Sequence, residues 1–122
     1  MVDFHNLKVL IVEDDDMNFI YLKQVFRIIG CDLLRVKTGQ MAIESCKNEE
    51  FDIIMMDIQL PDINGYDVTK AIRKCNSDIP IIAQTASKNP EDHEKAIESG
   101  CNIVLVKPFK IEDIRNLFEK LF

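Results

Sequence analysis

Short apolar runs alternate along this chain with longer stretches of helical periodicity. The runs are VLIV (9–12), LLRV (33–36), IIMM (53–56), IIA (81–83) and IVLV (103–106). Each is bounded by turn-forming residues and rich in Ile, Val or Leu, the pattern of parallel strands buried on both faces. Between and after the runs, apolar positions recur at i, i+3, i+4 and i+7. Leu22, Val25, Phe26 and Ile29 form the first such stripe, and Gly39, Ala42, Ile43 and Cys46 the second. Val68, Ala71, Ile72 and Cys75 form the third, and Ile114, Leu117, Phe118 and Leu121 the fifth. The fourth, His93, Ala96, Ile97 and Gly100, is the weakest, so the loop before it is expected to rearrange at low cost. Gly30 and Gly100 stand where helices should stop, because glycine accepts the left-handed conformation that ends a helix.

Strand followed by helix, five times over, predicts an α/β fold: a short, doubly wound parallel sheet with helices on both faces. No repeat, linker or low-complexity segment interrupts it, so residues 1–122 are expected to form one domain.

In open α/β sheets, sites form beyond the carboxyl ends of the strands, near the point where strand order reverses. Those ends carry Glu13 and Asp14 after the first run, Asp57 after the third, Thr85 after the fourth and Lys107 after the fifth. Lys37 and Thr38 close the second run and are less distinctive. Each group has an ordinary reading. An Asp after a strand is often a helix cap or turn former, and Lys107 before Pro108 reads equally well as a solvated loop lysine. Taken together, three carboxylates, a hydroxyl and an ammonium converge from four segments and make chemical sense as a set. Carboxylate oxygens suit Mg²⁺, a hard cation commonly held by one or two carboxylates plus a phosphate. A carboxylate can attack phosphorus to give an aspartyl phosphate. The transferred group then needs cations and donors around its oxygens, which Lys and Thr supply.

Composition narrows the alternatives. A net charge of −6 argues against a nucleic-acid surface, which needs a basic face. No apolar run approaches the roughly 20 residues that cross a bilayer, and MVDFHNLK has no basic start or long apolar stretch, so a cytosolic domain without a signal peptide is expected. Cys31, Cys46, Cys75 and Cys101 are far apart and form no metal-finger spacing, so they read as small buried hydrophobes in a reducing compartment. His5 and His93 stand alone, and a surface role suits them better than a catalytic one. No acid–His–Ser order suggests a hydrolase triad. Four scattered glycines make no phosphate-cradling loop for a nucleotide or flavin.

The motifs in order resemble the response-regulator receiver domain of two-component signalling, over essentially the whole chain. VLIVEDDDMN resembles the family's first-strand acidic pair, and IIMMDIQLPDINGYD its phosphoacceptor segment. IIAQTAS and VLVKPF are similar to its Thr/Ser–Ala and Lys–Pro motifs, and DDDMNFIYLK resembles receivers attached to sensor histidine kinases. The resemblance implies a flavodoxin-like (βα)5 sheet in strand order 2-1-3-4-5. It implies Asp57 as phosphoacceptor, receiving its phosphoryl group from a partner histidine kinase or histidine phosphotransfer domain. It further implies Mg²⁺ held by Glu13, Asp14, Asp57 and the Gln59 backbone carbonyl, with Thr85 and Lys107 gripping the phosphoryl oxygens. Asp14 is the expected direct ligand, with the longer Glu13 binding through water. Asp15 and Asp16 then become helix-start residues at the positive end of the dipole.

Some positions depart from the family pattern. Asn64 stands where an Asp is more common and suits the turn equally well. Val104, three residues before Lys107, replaces the aromatic side chain whose rotation often accompanies switching. Switching is therefore expected through the loop after Thr85 instead. Gln59 and Ser87 occupy positions that tune dephosphorylation in this family. The expected function is a phosphorylation-controlled switch with no effector of its own, with no direct nucleic-acid binding and no membrane insertion. Weak homodimerisation through the fourth helix, fifth strand and fifth helix stays open. Two rivals share features: an aspartate-based phosphohydrolase, which usually carries a second acid where Gln59 stands, and a receiver-like docking module that is never phosphorylated.

Overall fold

The computed structural model describes residues 4–122; Met1 to Asp3, at the head of the stretch read above as lacking a signal peptide, lie outside the described residues. Five strands, β1 (Lys8–Val12), β2 (Asp32–Val36), β3 (Ile53–Asp57), β4 (Ile81–Thr85) and β5 (Ile103–Val106), alternate with five helices. These are α1 (Asp16–Ile29), α2 (Gly39–Asn48), α3 (Gly65–Cys75), α4 (Pro90–Ser99) and α5 (Ile111–Leu121). All neighbouring strands pair in parallel, in the expected order β2-β1-β3-β4-β5.

The two-residue alternation of side chains, with both faces covered, explains the apolar runs 9–12, 53–56 and 81–83 within β1, β3 and β4. Val9, Ile11, Ile53, Met55 and Ile82 face a layer built by α1 and α5, where Phe26 and Phe118 pack with ring centroids 5.6 Å apart. Leu10, Val12, Ile54, Met56, Ile81 and Ala83 face the layer of α2, α3 and α4. Each helix turns its apolar stripe to one of these layers.

The helix ends follow from local chemistry. Asp15 caps α1 by accepting from the Met17 amide at 2.9 Å, and Gly30 ends it at φ 98°. Asn64 caps α3, and Asn89 caps α4 with Pro90 at its first turn. Helix α2 is capped twice: Thr38 accepts from the Met41 amide, and Asp62, from the loop after β3, accepts from Gly39 and Gln40 at 2.8 and 3.0 Å. Asp62 therefore ties the start of α2 to the β3–α3 loop, and those two amides hold its carboxyl below the usual range.

One expectation needs correcting. Cys75 is exposed: it is the last residue of α3, where the stripe runs out. Cys101 is buried, and Cys31 and Cys46 are half-buried, with burial pushing each of the latter two thiols up to about 11. Among the described residues, no helix is long and apolar enough to cross a membrane.

Candidate functional site

The register of the sheet assembles the site. Val12 pairs with Met56, Asp57 with Gln84, and Thr85 with Val106. Asp57 and Thr85 therefore end β3 and β4, and Glu13 and Lys107 directly follow β1 and β5, all at the same end of the sheet. β3 and β4 run further than their apolar runs, so Asp57 and Thr85 are the last strand residues rather than the first loop residues. Their carboxylate and hydroxyl are thus set on the rigid part of the fold.

Glu13, Asp14 and Asp57 each offer a carboxylate oxygen within 4.8 Å of the others. Glu13 has no exposed surface and Asp57 only 6%, whereas Asp14 is exposed. Lys107 reaches into the group, with Nζ 3.3 Å from Glu13 Oε1 and 3.7 Å from Asp57 Oδ2. One ammonium thus lies against two of the three carboxylates. The Glu13 carboxyl is pushed up to about 7, first by burial and then by its hydrogen bond to Asp57 and that carboxylate's charge, while Lys107 pulls the other way. An all-oxygen set with negative charge left over, one member open to solvent, fits a hard divalent cation. This resolves the run of acids in residues 13–16. Glu13 and Asp14 turn toward Asp57, Asp15 caps the helix, and Asp16 forms ion pairs with Arg35 and Lys37 at 2.9 and 3.2 Å.

The remaining site residues are fixed by backbone contacts. The Gln59 amide donates to Asp57 Oδ1 at 3.1 Å, which places that peptide beside the carboxylate. Gly65 permits the close approach of α3, because a Cβ there would lie 2.6 Å from the Asp57 carbonyl. The Ser87 amide donates to Thr85 Oγ1 at 3.0 Å.

Three features escaped the sequence reading. Arg35, on the edge strand β2, donates from Nε to the Glu13 carbonyl at 2.8 Å and stacks 4.6 Å from the Phe19 ring, anchoring the acidic loop. Its place in LLRV, level with Ile11 on the adjacent strand, is the signal that was available. Gln84, buried on β4, is the second. The loop after β4 is the third, and it is not loose. Ser87 Oγ donates to Asp92 Oδ2 at 2.6 Å and accepts from the Asn89 amide at 3.1 Å, while His93 Nε2 donates to the Ser87 carbonyl at 2.7 Å. The low rearrangement cost expected from weak periodicity overlooked these polar bonds. Val104, on the fifth strand opposite Ala83, is half-buried against the α2–α4 layer.

Known proteins share this arrangement. The family model of the response regulator receiver domain matches residues 9–119. The chain is 38% identical over 119 residues to hybrid signal transduction histidine kinase G of Dictyostelium discoideum, covering 93% of this chain and 4% of that protein. It is 32% identical over 105 residues to the polar-differentiation response regulator DivK of Brucella abortus, covering 84% of this chain and 85% of DivK. Among solved structures, the receiver domain of sensor histidine kinase PA1611 from Pseudomonas aeruginosa, with magnesium coordinated in its active-site cleft, superposes with a TM-score of 0.89. The two are 31% identical, over 95% of this chain and 97% of that one. The chain thus spans a small part of the hybrid kinase and most of the length of DivK. With its fold, strand order and motifs in agreement, the chain belongs to the response regulator receiver domain family of two-component signalling.

Proposed function

We propose that this domain takes a phosphoryl group from a phosphohistidine, on a histidine kinase or a histidine phosphotransfer domain, onto Asp57. The observation that carries the reading is the cluster at the sheet edge: three carboxylates within 4.8 Å of one another, with Lys107 against two of them. A carboxylate oxygen of Asp57 attacks phosphorus in line with the N–P bond. The P–O bond forms as the N–P bond breaks, and the imidazole nitrogen leaves with the electron pair. Lys107, already 3.7 Å from Asp57, meets the oxygens of the arriving group as a cation. The Thr85 hydroxyl, whose oxygen accepts from Ser87, still has its proton to donate to them.

Glu13, Asp14, Asp57 and the Gln59 carbonyl would hold Mg²⁺, which when bound supplies positive charge against the oxygens of the transferred group. A buried Glu13 is better placed to shape the charge of the site than to meet solvent, and the exposed Asp14 is the direct ligand in this reading. The domain is a phosphoacceptor and switch rather than a turnover enzyme. Incubation with acetyl phosphate and Mg²⁺ tests the reading: one phosphoryl group should be added, labile to hydroxylamine and absent in Asp57→Asn. Steady turnover of a simple phosphate ester with no labelled protein would favour the phosphohydrolase instead.

A further inference from the structure

Helix α3 divides its flanks between two neighbours. On one edge the Tyr66 hydroxyl donates to the Asp92 carbonyl at 3.4 Å, and Arg73 Nε donates to the Gly100 carbonyl at 2.9 Å. Thr69 Oγ1, on the same edge, lies 3.6 Å from Cys101 Sγ. The opposite edge carries Val68 and, three and seven residues on, Ala71 and Cys75. Helix α2 repeats that spacing with Gly39, Ala42 and Cys46.

The first members of the two rows meet, since a Cβ on Gly39 would lie 2.5 Å from Val68 Cγ2. Both helices belong to one layer and each follows a strand of a parallel sheet, so they run side by side in the same direction. Equal steps from a shared starting contact bring Cys46 and Cys75 opposite each other at the far end of the seam. Gly39, Ala42 and Ala71 are small, which lets the two backbones approach. Helix axes pack about 8–10 Å apart and Cα atoms lie about 2.3 Å off each axis, so facing Cα atoms fall within about 6 Å, inside the reach of a disulfide.

The electrostatics agree. Burial comes first in raising the Cys46 thiol to about 11, and negative charge on Cys75 comes second, so the two sulfurs are neighbours. Both cysteines are free, with Cys75 exposed and Cys46 half-buried. Cys101 lies beyond the other edge of α3, and Cys31 packs in the other layer.

We infer that Cys46 and Cys75 are a redox-active pair that closes into a disulfide at the expense of a small-molecule disulfide. The exposed Cys75, as thiolate, attacks one sulfur of the small disulfide, whose S–S bond breaks as one thiolate leaves with the electron pair. Cys46 then gives its proton to solvent and attacks the Cys75 sulfur, and the second small thiolate leaves as the Cys46–Cys75 bond forms. Two protein thiols are oxidised and the small disulfide is reduced to two thiols, which take up the two protons released. Excess small thiol reverses both steps. The loop closed in this way contains β3 and Asp57, yet the inference does not depend on phosphorylation of Asp57.

Oxidised glutathione is the probe, applied to the whole chain. After acid quenching, intact-mass spectrometry of the parent should show the loss of two hydrogens with no glutathione retained. Peptide mapping should join the segments holding Cys46 and Cys75, and dithiothreitol should restore the starting mass. Cys46→Ser should instead accumulate the glutathione adduct on Cys75, about tenfold above the parent, because no second thiol resolves it. Cys75→Ser, altered at an exposed position, should form no disulfide within the chain. A parent that does not react, or that holds the adduct on Cys75 to the level of Cys46→Ser, would overturn the inference. So would a crosslink between two chains, or one mapped to any other pair of cysteines. These outcomes are read in the unaltered chain and do not rest on the folding of a variant.

Discussion

The Lys107 ammonium lies 3.3 Å from the Glu13 carboxylate, joining residues 94 positions apart across the edge of the sheet. The acid is fully buried and the lysine side chain 22% exposed, so solvent screens the pair only in part. Removing the lysine leaves Glu13 and Asp57 facing each other unopposed. Lys107→Met is therefore expected to lose about 1–2 kcal/mol of stability at neutral pH, below the range for fully buried pairs because of the lysine's exposure. Urea unfolding measures the loss, and adding Glu13→Gln should restore most of it. An unchanged midpoint in Lys107→Met would show that the ion pair contributes nothing.

Metal affinity should separate from stability at Asp14. Its side chain is exposed, so Asp14→Asn should leave stability within about 0.5 kcal/mol of the parent. Mg²⁺ binding should weaken by about tenfold or more, since the open member of a three-carboxylate set is lost. Titration showing equal Mg²⁺ affinity in the two proteins would remove Asp14 from the ligand set.

Much of this was legible in the sequence, and the reasons are physical. β1, β3 and β4 are buried on both faces, so their apolar runs carry no polar interruption and stand out. The helices each bury one stripe, and Gly30 and Gly100 mark two of their ends by their positive φ. Asp57, Thr85 and Lys107 were legible because a parallel sheet puts all strand ends at one edge. What stayed hidden depends on side chains reaching through space. Arg35 finds the Glu13 carbonyl only because β2 pairs with β1 in a register that aligns Val36 with Val12. Asp62 looked like a turn residue and caps a helix 22 positions earlier. Cys75 followed the apolar spacing of its helix, yet spacing does not reveal where that helix ends.

Asp62 gives the fold an acid-sensitive joint. Its carboxyl titrates below the ordinary value of 3.8 because the Gly39 and Gln40 amides favour the charged form. A depressed folded-state pKa contributes stability that is present above the unfolded value and is lost as pH falls through the folded one. As pH falls below about 4, the parent should therefore lose stability more steeply than Asp62→Asn, whose cap is uncharged throughout. Urea midpoints collected across that fall decide it. Parallel curves for the two proteins would assign the acid sensitivity elsewhere.

The loop after β4 should behave as a latch. Ser87, Asp92 and His93 hold it closed, while Thr85 Oγ1 accepts from the same Ser87 whose hydroxyl bonds Asp92. Drawing the Thr85 hydroxyl toward a phosphoryl group pulls on that junction. Asp92→Ala should cost about 1–2 kcal/mol, the scale of a charge-assisted hydrogen bond, and raise hydrogen exchange at residues 87–93. With a beryllofluoride mimic bound, exchange changes in the parent should concentrate at residues 85–95 and disappear in Thr85→Ala. An undisturbed loop in the parent would contradict this route for the switch.

Phosphorylation stoichiometry with acetyl phosphate, followed by intact-protein mass spectrometry with and without Mg²⁺, tests the central claim most directly. The parent should gain one phosphoryl group in the presence of Mg²⁺ and little without it. Asp57→Asn should gain none, and Lys107→Met should gain far less than the parent. Equal labelling of Asp57→Asn and the parent, or labelling of the parent indifferent to Mg²⁺, would contradict the assignment of Asp57 as a metal-assisted phosphoacceptor.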